Sequence, residues 1–291
     1  MKIFLTGATG FVGRNLAAEL LHRGHQVVAL VRRSSSVEGV TELIGDVTNP
    51  DSIDLDAIKT CDAANHLVGI IRQFPKEGIT FDKLHTEATQ NVLWACREAG
   101  VKRYIHMSAL GADKKSSACY HRTKAEAEEA VQQSDLDWTI IRPSMILGSD
   151  GEFYQMVRKM IKLGVVPLIG DGSAPMAPLA ISTVCEAFAN ALEKPESIGQ
   201  SYDFGGEVVT YRQMVGALAK AMEKRCIFIN NPVKVMQFLA SKLDQFRQFP
   251  LSRGQINMLI EAKSPADNRI YADLGLDFKA MKQVAQEIVN A

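Results

Sequence analysis

The sequence has no charge excess, no paired cysteines and no long apolar run, and each lack removes a class of function. Lys and Arg number 33 against 33 Asp and Glu, so the formal net charge is zero. That balance gives no electrostatic reason to expect nucleic acid or an anionic membrane as partner. The five cysteines, Cys61, Cys96, Cys119, Cys185 and Cys226, are odd in number, far apart and without a CxxC pair. This spacing argues against a disulfide framework or zinc site, implies no metal, and fits a reducing compartment. No uncharged apolar run reaches the roughly 20 residues that span a bilayer. The opening run Ile3-Phe4-Leu5 leads straight into glycines instead of a secretory leader. Together these absences predict a soluble, cytoplasmic protein whose partner is a small molecule, leaving peripheral membrane contact open.

What is present is a strand-helix alternation. Residues 2–6 form an apolar run, followed by glycines and then by Leu16, Ala17, Leu20 and Leu21 at helical spacing. Residues 26–31, Gln-Val-Val-Ala-Leu-Val, read as a second buried strand. Further strands are expected at 41–44, 65–68, 103–107 and 138–142, and helices at 87–99 and 123–133. The alternation predicts an α/β fold of Rossmann type, a doubly wound parallel sheet covered on both faces. The boundary is expected near residue 150: a dinucleotide-binding domain over 1–150, its sheet completed by parts of 165–205, and a smaller, mostly helical lobe over 151–291. Amphipathic helices are expected at 211–224 and 233–246, with Met214, Leu218 and Met222, and Val235, Leu239 and Leu243, facing a core. Met236 and Met258 are assigned to packing as well.

Gly7-x-x-Gly10-x-x-Gly13 lies between the first strand and the first helix. The first glycine permits a tight turn, the second a close approach of pyrophosphate to backbone, the third close helix-strand packing. The helix N-terminus offers unpaired N–H groups and a partial positive charge to phosphates. An NAD-binding turn usually has an acid at the end of the second strand, where it holds the ribose 2′-hydroxyl. Here that strand runs into Arg32-Arg33 and three serines. Guanidinium groups match a phosphate by paired, charge-assisted bonds, so NADP(H) is favoured over NAD(H). Asp46, after the third strand, either accepts from the adenine amino group or caps its own turn. Arg14 either touches a phosphate or is solvated.

Tyr120-His121-Arg122-Thr123-Lys124 is a YxxxK spacing, which puts Tyr120 and Lys124 on one helix face. A neighbouring ammonium is expected to lower the phenol pKa from about 10 and make Tyr120 a usable acid/base. Together with Thr6-Gly7-Ala8-Thr9-Gly10-Phe11-Val12-Gly13, His66-Leu67-Val68-Gly69, Asn91-Val92-Leu93, Gly100-Val101-Lys102-Arg103 and Arg142-Pro143-Ser144, this pair resembles the short-chain dehydrogenase/reductase superfamily in its extended and atypical branches. Residues 108–113 (Ser-Ala-Leu-Gly-Ala-Asp) and 167–172 (Pro-Leu-Ile-Gly-Asp-Gly) are similar to the atypical subgroup typified by the 39-kDa accessory subunit of respiratory complex I. The resemblance covers residues 1–205.

The resemblance implies a bound NADP(H) or NAD(H). Its contacts would be Gly7, Thr9, Gly10, Phe11, Val12, Gly13, Arg32, Arg33, Asp46, Val47, Leu67, Val68, Gly69, Met107, Ser108, Tyr120, Lys124, Pro143 and Met145. It implies catalysis by Tyr120, Lys124 and a hydroxyl, for which Ser108 is the candidate, and it leaves contact with a respiratory complex and a homodimer open. The usual hydroxyl position falls on Ala109, one residue after Ser108, and neighbouring strand residues face opposite sides. Two functions follow as expectations: an oxidoreductase or epimerase/dehydratase on an unnamed small molecule, or a non-catalytic dinucleotide-binding protein that acts through a partner. His106, His121 and Cys119 are expected to be bystanders.

Overall fold

The computed structural model describes residues 1–35, 37–243, 254, 256 and 264–291. The chain divides into two compact units. The first comprises Met1–Pro143, Ser182–Asp203 and Asn268–Leu276; the second comprises Ser144–Ile181, Phe204–Asp267 and Asp277–Ala291.

The first unit is built on a seven-stranded sheet. Its strands are β1 (Lys2–Thr6), β2 (Gln26–Val31), β3 (Thr41–Ile44), β4 (Ala63–His66), β5 (Arg103–Met107), β6 (Asp137–Pro143) and a last strand, Gln200–Phe204. Their order is Gln200–Phe204, β6, β5, β4, β1, β2, β3, and β1 to β6 pair in parallel throughout. Consecutive apolar residues such as Ile3, Phe4, Leu5 and Val27–Val31 are buried, as a sheet covered on both faces requires. Helix α1 (Phe11–His22) buries Gly13, Leu16, Ala17 and Leu20 on one stripe. Helices α2 (Leu55–Ile58), α3 (Ala88–Ala99) and α4 (Cys119–Gln132) follow in chain order. Phe4, Val28, Ala64, Tyr104, Val92, Cys96 and Val131 share one buried cluster. The strand order reverses between β1 and β4, the place where a doubly wound sheet opens a crevice at its carboxyl edge.

Two element boundaries differ from expectation. The fourth strand is Ala63–His66, not 65–68. Leu67 still donates its N–H to Thr6 O (3.2 Å) as the chain leaves the sheet past the backbone of Gly7, and Val68 packs against the core beyond the end of the strand. Helix α4 starts at Cys119, four residues before the expected position, so Tyr120 and Lys124 are both helical.

The second unit packs helices α5 (Glu152–Leu163), α7 (Tyr211–Ala221) and Met281–Asn290 around Tyr154, Val157, Met214, Leu218 and Val284. (Helix α6, Ile181–Glu193, lies almost wholly in the first unit.) Among the described residues, three small two-stranded sheets accompany those helices. Met214 and Leu218 are buried as expected, and Met222 packs against the same core. Val235, expected on a core face of helix α8 (Val233–Leu243), is exposed instead. The side chains of Leu239 and Leu243, and Met258 as a whole, lie outside the described residues. Among the described residues no helix is long and apolar enough to cross a membrane.

Candidate functional site

The glycine turn joins β1 to α1. Gly7 has φ +81, and a Cβ there would meet the backbone of Leu67 and Val68 at 3.2 Å. Gly10 donates its N–H to Gly7 O (3.0 Å), and Arg14 N–H donates to Gly10 O (3.0 Å). That is the first helical bond of α1, so the amides of Phe11, Val12 and Gly13 precede any helical acceptor. The helix has no side-chain cap and no acid in its first turn, so no acid of its own competes for this end. A Cβ on Gly13 would sit 2.0 Å from Gly7 O. Thr9 is exposed, and its carbonyl accepts from Arg14 Nη1 (3.0 Å). This is a cradle that side chains would fill, and it fits a pyrophosphate.

At the end of β2, Arg32 and Arg33 are exposed. The loop behind them is held by Glu42 of β3, whose carboxylate accepts from Ser34 Oγ (3.0 Å), Ser35 N–H (2.9 Å) and Ser35 Oγ. These bonds hold the Glu42 carboxyl below its ordinary range. Asp46 uses Oδ1 to accept from Thr48 N–H and Thr48 Oγ1 (2.9 Å each), so it does cap its own turn. Val47 is buried, and its carbonyl accepts from Asn91 Nδ2 (2.8 Å).

The ends of β4 and β5 and the start of α4 bring the remaining candidates together. Gly69 is exposed, and a Cβ on it would lie 3.1 Å from Lys124 Nζ and 3.6 Å from the His85 ring. Lys124 is 4% exposed and donates to Met107 O (2.9 Å). Burial pulls its ammonium down to about 8, opposed by the charge of Glu128. Arg142 of β6 grips Glu128 with two bonds (2.8 and 2.6 Å) and reaches Asp203 (3.4 Å). Tyr120 is half-buried, edge-on to Phe81 (5.8 Å), His85 (5.3 Å) and His121 (5.4 Å). The expectation that Lys124 lowers the Tyr120 pKa is corrected: burial pushes this phenol up to about 12. The desolvation that weakens the lysine as a cation also penalises a phenolate.

Ser108 is 1% exposed and its Oγ has no hydrogen-bond partner among the described residues; Ala109 beside it is buried too. Pro143 is buried and its carbonyl accepts from Leu110 N–H (3.0 Å). Met145 belongs to the second unit and packs against that unit's core. Cys119 is half-buried, and burial raises its thiol pKa.

The sequence reading passes over a buried network of histidines and threonines. Thr6 Oγ1 lies 2.7 Å from His66 Nδ1, and His66 Nε2 lies 3.1 Å from Thr89 Oγ1. Thr89 donates to the His85 carbonyl (2.5 Å), so its oxygen accepts from His66 Nε2–H. His85 is held by Thr123 and by the backbone of Ile70. The one available signal was the polar character of 81–89, where Asp82, Lys83, His85, Thr86, Glu87 and Thr89 leave only three apolar positions.

Three comparisons with known proteins bear on this site. A family model described as NAD(P)H-binding matches residues 7–164. The chain is 29% identical to NADH dehydrogenase [ubiquinone] 1 alpha subcomplex subunit 9, mitochondrial, of Arabidopsis thaliana, over 97% of this chain and 74% of that protein. It spans only 55% of the rat counterpart. It is 30% identical to a 2-alkyl-3-oxoalkanoate reductase of Stenotrophomonas maltophilia, over 76% of each chain. In fold it is similar to a nucleoside-diphosphate-sugar epimerase from Staphylococcus aureus, with a TM-score of 0.76, 17% identity, and coverage of 99% of this chain and 100% of that one. Two expectations are corrected by the relatives. The cytoplasmic location is overturned, because relatives from Arabidopsis, rat and Neurospora crassa are named as mitochondrial. The partner expectation, which named a small-molecule substrate and left a respiratory complex and a homodimer only as open possibilities, is overturned by the same relatives, two named as NADH dehydrogenase [ubiquinone] subunits and one as an NADH-ubiquinone oxidoreductase subunit.

Proposed function

The chain belongs to the extended short-chain dehydrogenase/reductase family, in the subgroup of the complex I 39-kDa subunit, with a nicotinamide dinucleotide as its cofactor, and from that premise we propose that it is an NADP(H)-dependent oxidoreductase acting on the carbonyl of a small molecule. The observation that carries this reading is the pairing of Tyr120 with a desolvated Lys124 on one helix face beside Gly69. The amides of Phe11, Val12 and Gly13 receive the pyrophosphate, and Arg32 and Arg33 receive the 2′-phosphate. Asp46 Oδ2, not used by its turn, accepts from the adenine amino group, with Val47 beneath it. Leu67, Val68, Gly69, Met107 and Ser108 line the remainder. When bound, the nicotinamide supplies the hydride. Tyr120, whose hydroxyl burial keeps protonated, donates that proton to the carbonyl oxygen, and the Lys124 ammonium supports the phenolate left behind.

NADPH oxidation over a panel of 3-oxoalkanoates and nucleotide sugars tests the reading. Tyr120→Phe is expected to lower turnover roughly 100-fold; unchanged turnover would remove Tyr120 from the reaction. Reduction is also expected to fall above about pH 8, as Lys124 loses its proton. For the cofactor, Arg32→Ala is expected to weaken NADPH about 30-fold, the loss of charge-assisted bonds, with NADH within twofold. Equal losses for the two nucleotides would end the 2′-phosphate argument.

A second reading has its own support. Ala109 stands where a substrate-polarising hydroxyl is expected, and the relatives include respiratory-complex subunits. On that reading the nucleotide is a stabilising ligand of a subunit in such an assembly. A Tm raised by NADPH with no turnover on any of the panel would favour it.

A further inference from the structure

We propose that His85 is the positioning residue of the Tyr120–Lys124 pair: its ring pins the loop after β4 to helix α4 and shields the Lys124 ammonium from water. This rests on the reading of Tyr120 and Lys124 as the proton-transfer pair and extends it to a residue outside the YxxxK spacing. His85 is fully buried and lies in a six-residue π turn, Asp82–Glu87, that runs into α3. A π turn inserts a residue into the helical repeat and redirects its side chains. Here it delivers one imidazole nitrogen to 2.8 Å from Oγ1 of Thr123, which sits between Tyr120 and Lys124 in the chain. The other nitrogen lies 3.1 Å from Ile70 N and 3.0 Å from Ile70 O, immediately after Gly69. Whichever nitrogen carries the proton, one bond holds α4 and the other holds the loop. The ring stacks on Phe81 (5.2 Å) and meets Tyr120 edge-on. The His85 carbonyl, through Thr89 and His66, leads on to Thr6 at the start of the glycine turn.

The groups around Lys124 decide what the ring does electrically. Glu128 on its own helix favours the ammonium. His66 of β4, His85 of the π turn and His106 of β5 all respond to the Lys124 charge, and burial keeps all three neutral. His85 therefore acts as an uncharged lid. Removing the imidazole admits water to Nζ and returns Lys124 toward its solvated behaviour.

The test uses His85→Ala and His85→Gln in the full chain, the glutamine retaining both a donor and an acceptor. The Lys124 titration is read from its Cε resonance in lysine-labelled, unliganded protein, assigned with Lys124→Met. In His85→Ala the midpoint is expected to rise by about one pH unit, with a smaller rise in His85→Gln. In turnover, His85→Ala is expected to lower kcat about 30-fold with KM for NADPH within twofold and the alkaline limb displaced upward, and His85→Gln to recover part of kcat. An unmoved Lys124 midpoint in a folded variant overturns the proposal; if His85→Ala does not fold, His85→Gln decides on the same midpoint. Absence of turnover in the parent would remove the proton-transfer reading, while the titration still decides whether His85 shields Lys124.

Discussion

Replacing Lys124 with methionine is expected to abolish turnover and yet to stabilise the folded chain by about 2 kcal/mol at pH 7. Lys124 is 4% exposed, and burial lowers its pKa from 10.5 to about 8. That difference corresponds to about 3 kcal/mol against the charged form in the fold. Methionine fills much the same space without charge, but it leaves the Met107 carbonyl without its donor, a loss of about 1 kcal/mol. The pH dependence has a definite sign. The folded state holds this proton less tightly than the unfolded chain, so the cost is fully present below about pH 8 and fades as pH rises toward 10.5. The advantage of Lys124→Met should therefore shrink across that window. Urea unfolding of both proteins at pH 7 and pH 10 measures it. A variant less stable than the parent at pH 7 would show that Lys124 is not held against its preference for water. The lost turnover has a separate origin: without an ammonium beside it, the Tyr120 phenolate has no positive charge to support it.

Gly13→Ala is expected to cost about 3 kcal/mol of stability and to remove nucleotide binding. The added methyl would stand 2.0 Å from the carbonyl oxygen of Gly7, 2.7 Å from its carbonyl carbon and 2.8 Å from Ala8 Cα. All three are backbone atoms, so no side chain can rotate away. Relief requires α1 to draw back from β1, which displaces the amides of Phe11, Val12 and Gly13 together. The effect separates two roles for this glycine. Unfolding by urea reads the packing cost, and calorimetric titration with NADPH reads the loss of the phosphate cradle. A variant of parental stability that binds NADPH as tightly would show that the turn has another place to put the methyl. Gly10 offers the contrast, because a Cβ there meets only Gly7 O, at 3.3 Å. Gly10→Ala should disturb the fold little and nucleotide approach more.

The parallel sheet was legible because both faces are covered. Its inner strands are buried on both sides, and β1 and β2 fall where continuous apolar runs lie, whereas β3 (Thr-Glu-Leu-Ile) is a partly exposed edge strand. The fourth strand was misplaced by two residues because Leu67 and Val68 are as apolar as a strand interior, and only the pairing with β1, which ends at Thr6 opposite His66, marks where the strand stops. Val235 misled for a related reason. Helical spacing identifies a stripe but does not say what covers it.

The glycine spacing, the Arg32-Arg33 end of β2 and the YxxxK step were determined by sequence alone. Each is a local pattern whose geometry follows from one turn, one strand end or one helical repeat. The charge states were decided by the tertiary structure. A neighbouring ammonium, considered by itself, lowers a phenol's pKa, whereas burial raises that of Tyr120 and lowers that of Lys124. Desolvation depends on every element packed around a group, and no local spacing encodes it. The same holds for His85. It lies 35 residues before Tyr120 in the chain, and its tie to Thr123 exists only because a π turn and helix α4 meet beneath the end of β4.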